Sequence, residues 1–325
     1  MALRRIAISM GDPAGIGPEI ALKAALDARV SSLCVPLLVG DRMAYEQHAR
    51  LCGLEIDFSI QSDAACFDWD AKAVRLLDVP MAPGDTLALG KIQASHGRAA
   101  VESARIAICA ALDGYVDAVI AAPQTELAIA QAEIGFDGYP SFVAKCTGTP
   151  PEDVFLMLCF DGTRIAHVTL HVGVKRAIAL ITRGRVTDCI AATQRVLESL
   201  GISMPRIAVS GLNPHAGENG LFGDEEIAII GPAIEDARRL GINAQGPFGA
   251  DIMLNLAGYD AFVVMLHDQG HIPAKLLAEN RAAALTIGTP LLFSSVAHGS
   301  ALDIAGKNKA NHEAMVEAIL RLCAK

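Results

Sequence analysis

Three histidines of this 325-residue chain stand where apolar runs give way to polar residues: His171 after IAHVTL, His215 shortly after IAVSG, and His267 after FVVML. Each run is apolar and partly β-branched, the composition of a buried strand, so each histidine falls at or just beyond a strand's carboxyl end. In open α/β sheets those ends are where ligands bind. Three imidazoles delivered on separate segments can share one divalent ion and leave positions for water or substrate. Each taken alone reads equally as a hydrogen-bonded structural residue. The third run continues as HDQGHIPAK, adding a carboxylate at Asp268, an amide at Gln269, a second imidazole at His271 and an ammonium at Lys275. Such a group suits the handling of a metal or a proton. His167, inside its run, reads as a core or supporting residue.

Two glycine-containing stretches point to a second ligand. GDPAGIGPE, from Gly11 through Asp12 and Gly15 to Glu19, has the form of a turn ahead of a helix N-terminus, whose amides favour anions. It fits neither the G-x-G-x-x-G spacing nor a P-loop, so an ordinary strand-to-helix turn is an equal reading. HGSALDIAGKNKAN, from His298 to Asn311, offers close backbone approach at Gly299 and Gly306 and hydrogen bonds from Ser300 and Asn311. Its Asp303 can accept from two ribose hydroxyls and would repel a 2′-phosphate, which favours NAD over NADP. The same stretch also reads as a helix-capping loop.

The elements that must hold these residues alternate. Strands are expected over Arg5–Met10, Val35–Val39, Ala118–Ala121, Val154–Phe160, Arg164–Leu170 and Arg206–Ser210. Helices are expected from about Pro18 to Leu26, over Gly97–Leu112, and after Val174 into a longer one ending near Leu200. Two short helices are expected around Pro232, while residues 55–89 show no regular pattern. Strand-then-helix alternation argues for an α/β protein with substantially parallel sheet, and 52% hydrophobic residues over this length suit two domains. A net charge of -9 argues against nucleic acid. No apolar stretch reaches the roughly 20 residues of a membrane helix, and the N-terminal residues do not read as a signal peptide. The eight scattered cysteines, without a CxxC pair, read as small hydrophobes of a reducing compartment, so a cytoplasmic protein is expected.

GDPAGIGPE, the TLH of Thr169 to His171, NPHAGENGLFGDEE from Asn213, HDQGHIPAK and SSVAHGSALDIAG together resemble the 4-hydroxythreonine-4-phosphate dehydrogenase family. HGSALDIAGKNKAN also looks like the adenosine-binding loop of isopropylmalate dehydrogenases. The resemblance implies a two-domain isopropylmalate dehydrogenase-like α/β fold with mostly parallel sheets and an active-site cleft between the domains. Residues 1–134 with 290–325 would form the cofactor-side domain, and 135–289 the metal, substrate and dimerisation domain. It further implies NAD as cofactor and a homodimer with shared active sites. One divalent ion per subunit, zinc or another transition metal or magnesium, would be held by His171, His215 and His267. Catalytic roles fall on Lys275 and on Asp251, the latter otherwise a cap for IMLNLAG. His271 becomes a supporting hydrogen-bonder or a fourth ligand, and Asp303 the ribose carboxylate.

Departures from the biosynthetic pattern bear on the substrate. Where that pattern has a His-Thr pair gripping phosphate, this chain has Tyr139, Pro140 and Ser141; the usual Asn falls on Ala284 and the usual Arg on Phe293. Each lost charge-assisted contact is worth ~1.5 to 3 kcal/mol. GYPS, VFLML, HVTLH, HDQGHIP with KLLA, and SSV-x-HGSA-x-DIAG resemble the terephthalate cis-dihydrodiol dehydrogenases instead. That branch implies oxidation and decarboxylation of 1,2-dihydroxy-3,5-cyclohexadiene-1,4-dicarboxylate to protocatechuate, with Tyr139 and Ser141 in the substrate site. The alternatives are a 4-hydroxythreonine-4-phosphate or four-carbon phosphosugar-acid dehydrogenase and, from another class, a non-catalytic metal or dinucleotide sensor.

Overall fold

The computed structural model describes residues 3–323 apart from 71, 279–281 and 297; Ala297 of the SSVAHGSA motif and residues 324–325 of the expected first domain lie outside the described residues. Contacts divide the chain into two units, Met1–Thr147 with Pro290–Cys323, and Gly148–Thr289. The expected boundary near residue 135 therefore moves to Gly148. The helix Tyr139–Thr147 is the reason: its Tyr139 and Val143 are buried in the same apolar cluster as Ala104, Ile108 and Phe293.

Among the described residues the first unit holds six strands: β1 Arg4–Ser9, β2 Cys34–Gly40, β3 Phe58–Gln61, β4 Val74–Asp78, β5 Ala118–Ala121 and β12 Leu292–Val296. They pair in the order β3-β4-β2-β1-β5-β12, every pair parallel. β5 is buried at all its positions, as its unbroken apolar AVIA requires. The helix Gly17–Ala25 begins with Pro18 in its first turn, where the missing N–H leaves no bond unmade. The long helix Ala94–Leu112 is rich in small residues because neighbours come close: a Cβ on Gly97 would lie 2.3 Å from the backbone of Ala128.

The second unit holds β6 Phe155–Phe160, β7 Thr163–His167, β8 Arg206–Ser210, β9 Asn243–Phe248, β10 Ala261–Val264 and β11 Ala283–Ile287. β7, β10, β8 and β9 pair in parallel in that order, while β6 lies antiparallel to both β7 and β11. Asp161 and Gly162, at φ 41° and 82°, form the two-residue turn joining β6 to β7; positive φ at both suits the right-handed twist of a hairpin. β7 is shorter than expected. It ends at His167, after which Val168 and Thr169 still donate to Val264 and Met265 before the chain leaves the sheet. Around Pro232, one turn of wide helix over Glu226–Ile230 runs into the helix Gly231–Arg239. No helix among the described residues is long and apolar enough to cross a membrane.

Gly97→Ala tests how closely the first unit is packed. The added methyl meets backbone that cannot swing aside, so a stability loss of about 1–3 kcal/mol is expected. It would be read as a lower denaturant midpoint at unchanged slope.

Candidate active site

In the second unit β10 ends at Val264 and the helix His267–Leu277 starts after only two residues. Gln269 closes that turn. Its Oε1 accepts from the N–H groups of Met265 and Leu266, each at 2.9 Å, and its Nε2 donates to the carbonyl of Gly211 at 3.1 Å. This one amide ties the end of β10 to the chain leaving β8. His267, His271 and Lys275 then follow at four-residue spacing along one face of the helix.

His267 donates from Nδ1 to Oδ1 of Asp268 at 2.7 Å; the carboxylate can only accept, so a proton sits on Nδ1. The rings of His171 and His267 lie 5.6 Å apart. Both line a cavity of about 340 Å³ together with Thr169, Leu170, Leu266 and Asp268. His271 stacks on His267 at 3.8 Å and meets His167, its Nδ1 lying 3.2 Å from that ring's Nε2. Burial, reinforced by neighbouring imidazoles, holds His167 down to about 3 and His271 to about 4, so both are neutral near pH 7.

The expected three-imidazole centre is not assembled. Among the described residues no group of three or more His, Cys, Asp and Glu side chains is arranged to hold a metal ion. His171 and His267 are neighbours, but His215 is exposed, its ring 5.9 Å from that of Phe222 and its Nδ1 3.7 Å from Glu218 Oε2. The cause is local: His215 to Asn219 form five consecutive residues at φ 43° to 80°, which carry His215 out on a left-handed turn. Glu226 anchors the base of that turn. Its buried carboxylate accepts the N–H groups of Leu212 and Asn213 and the Asn213 amide, at 2.7 to 2.9 Å. Burial alone would raise its pKa, but those donors outweigh it and hold the carboxyl below its ordinary range.

Lys275 is exposed in the last turn of its helix and Asp251 is exposed ahead of the short turn Met253–Asn255. No ion pair joins them among the described residues. Nor does Asp251 cap a helix: the segment after it is a single 3-10 turn preceded by Ile252.

In the first unit the cofactor candidates separate into two sets. Gly11, Asp12, Gly15 and Ser300 are buried. A Cβ on Gly11 would meet the Pro123 carbonyl at 2.3 Å, and one on Gly15 would meet Ser300 at 2.7 Å. Asp12 Oδ1 accepts from Ala14 N–H, and the Ser300 carbonyl from Ile16 N–H. GDPAGIGPE is thus a close-packed support for the Ser300 loop, and not the surface cradle for an anion that its glycines suggested. His298, Gly299, Asp303 and Asn311 remain accessible, although Asn311 also caps the last helix by accepting from Glu313 N–H at 2.9 Å.

Tyr139, expected beside substrate, is buried: its hydroxyl donates to the Ala122 carbonyl at 3.1 Å and its ring lies 5.2 Å from that of buried Phe293. A fixed backbone acceptor and an aromatic partner turned it inward. Ser141, two residues on and so on the other side of the helix, is exposed. Of the two supporting residues, Glu226 had no role assigned from the sequence, and Gln269 was read as part of the polar group that follows the strand. A polar side chain at the third helical position, as in a capping box, was the available signal for Gln269.

Residues 32–322 match the family profile described as Pyridoxal phosphate biosynthetic protein PdxA. The chain is 42% identical over 324 residues to a 1,2-dihydroxy-3,5-cyclohexadiene-1,4-dicarboxylate dehydrogenase of Comamonas sp, covering 99% of this chain and 98% of that one. It is 41% identical to a putative D-threonate 4-phosphate dehydrogenase of Symbiobacterium thermophilum, over 97% and 94% of the two chains. Among solved structures, a 4-hydroxythreonine-4-phosphate dehydrogenase from Burkholderia phymatum superposes with TM-score 0.90 at 35% identity, over 99% and 98% of the chains.

Glu226→Gln probes the anchor. Because the folded carboxyl titrates below its unfolded value, its contribution is complete above the unfolded glutamate pKa. The contribution declines as pH falls below that value and is gone below the folded one. The variant should lose about 1–2 kcal/mol at pH 7 and show a flatter acid limb in a stability-versus-pH profile.

Proposed function

Since this chain belongs to the PdxA family, whose relatives above are named as dehydrogenases, we propose that it is the decarboxylating dehydrogenase of a cis-dihydrodiol dicarboxylate. The substrate would be 1,2-dihydroxy-3,5-cyclohexadiene-1,4-dicarboxylate, with NAD as hydride acceptor. The observation that carries this reading is the Tyr139–Phe293 pair. Where the family resemblance places a phosphate grip, two buried rings pack at 5.2 Å and the one hydroxyl is committed to Ala122. A phosphate ester needs cations or donors, and neither residue offers one. A dicarboxylate without phosphate is the substrate class that fits. The 41% identity to a D-threonate 4-phosphate dehydrogenase favours the second reading, a phosphorylated hydroxy acid.

The reaction needs hydride loss from C2 to NAD and a proton from the C2 hydroxyl. The resulting ketone is β to the C1 carboxylate, so carbon dioxide can leave and the ring becomes aromatic. Lys275 is assigned the pairing of a substrate carboxylate or the transfer of that proton; Asp251, which makes no ion pair with it among the described residues, keeps only the catalytic role that the resemblance implies. Asp303, exposed on its loop, is assigned the ribose hydroxyls of NAD. His171 and His267 would hold a divalent ion, which when bound would supply Lewis acidity toward a hydroxyl oxygen. They are two of the three imidazoles the resemblance implies, so no step is carried through the ion. The reading includes a cytoplasmic homodimer.

NAD reduction should be fast with the dihydrodiol and weak with 4-phosphohydroxythreonine and a phosphorylated four-carbon acid; turnover of the phosphorylated compounds alone overturns the substrate assignment. Separately, Asp303→Ser should lower the ratio of NAD to NADP efficiency about tenfold or more, as expected for one lost contact of ~1.5 to 3 kcal/mol. An unmoved ratio removes Asp303 from the ribose site.

A further inference from the structure

We propose that His167 sets the tautomer of His271, and so makes Nε2 of His271 a fixed hydrogen-bond acceptor for a hydroxyl group of the substrate. The nature of the ligand rests on the function proposed above; the tautomer does not. The argument starts at a backbone carbonyl, which can only accept. His167 Nδ1 lies 3.3 Å from the carbonyl oxygen of Leu156, so that nitrogen carries the ring's proton and Nε2 is left as an acceptor. This Nε2 is 3.2 Å from Nδ1 of His271, which must therefore donate. A second contact requires the same, because His271 Nδ1 also faces the carbonyl oxygen of His267 at 3.3 Å. The opposite tautomer would set a lone pair against two acceptors at once.

With Nδ1 protonated, Nε2 of His271 carries a lone pair and lies across the ring from both acceptors. His267, stacked on it at 3.8 Å with planes 9° apart, also holds a proton on Nδ1 through Asp268 and lines the cavity. An apolar ring at 167 would fill the core equally well, but it would not dictate where a neighbour keeps its proton. The contact is built closely: a Cβ at position 270 would lie 2.2 Å from His167 Nε2, so only glycine lets the helix approach. A bare nitrogen selects a donor. Near neutral pH that means an alcohol, since carboxylates and phosphates present acceptors. His271 is thus assigned to a substrate hydroxyl, with His167 as its positioning residue.

The test is a long-range proton–nitrogen correlation spectrum of the full-length protein, labelled at histidine nitrogens, at neutral pH, with His271 assigned through His271→Gln. The expected result is a protonated Nδ1 and an unprotonated Nε2. His167→Leu, which removes the acceptor, should yield both tautomers and lower kcat/KM for the dihydrodiol about tenfold or more. His167→Gln, which offers an amide oxygen near the lost Nε2, should recover most of both. A proton on Nε2 of His271 in the unaltered protein overturns the proposal, as does an unchanged tautomer in His167→Leu; if that variant does not fold, the unaltered protein's spectrum decides. The expected spectra with no oxidation of the dihydrodiol would sink the substrate reading and leave the tautomer lock standing.

Discussion

The helix His267–Leu277 crosses β7 where there is no space for a methyl group, Gly270 lying against the imidazole of His167. Most of the polar arrangement in the second unit depends on that approach. β7 and β10 pair in parallel with His167 opposite Val264, so the strand that delivers the helix also sets its height over the ring. Gln269 then satisfies the N–H groups at the end of β10, which an abrupt strand-to-helix change would otherwise leave without partners. The helix start is therefore held from below by close packing and from the side by one amide. His267 and His271 inherit their positions from both.

The first unit solves a similar problem with backbone. Gly11, Gly15 and Gly17 each press against main chain or a short side chain, and the turn they form sits beneath Ser300. Glu19, fully buried, extends the same support: one oxygen accepts from Lys23 at 2.7 Å and from the Ala310 N–H at 3.0 Å. The stretch from His298 to Asn311 is thus fixed at both ends by the segment that follows β1. A motif that looks like a ligand cradle in one dimension is, in three, the floor of a loop whose outer face is available.

Strongly apolar strands were legible in the sequence. Ala118–Ala121 and Arg206–Ser210 fall where their composition puts them, because a strand buried on both faces leaves no doubt about its period or its limits. β3 and β4 were not legible within residues 55–89: β3 is half-buried throughout, at the end of its sheet, and reads as mixed. Alternating strands and helices gave the expectation of a substantially parallel sheet, which among the described residues holds apart from the pairings of β6; the Asp161–Gly162 turn carried the hairpin signal for that exception. Of the site, the pairing of His171 with His267 followed from strand ends. The displacement of His215 did not, since five left-handed residues in succession are a property of the anchored turn, and in PHAGEN only Gly217 and Asn219 are types that take up that conformation readily.

The Tyr139–Phe293 pair illustrates how the two positions of an apolar cluster constrain each other. Phe293 is 1% exposed on β12 and Tyr139 reaches it from the helix that follows Gly138. An arginine at 293 would bring a charge into that cluster, tolerable only if an anion met it there. Once the anion is gone, the cation becomes a cost, and an aromatic ring that buries apolar area is favoured in its place. Tyr139 then completes the change, because its hydroxyl finds Ala122 while its ring covers Phe293. Neither substitution is comfortable alone: a phenylalanine without the covering ring leaves a gap, and the tyrosine ring without it packs beside a desolvated charge. The two residues therefore act as one structural unit, one that presents neither a cation nor a free donor to its surroundings.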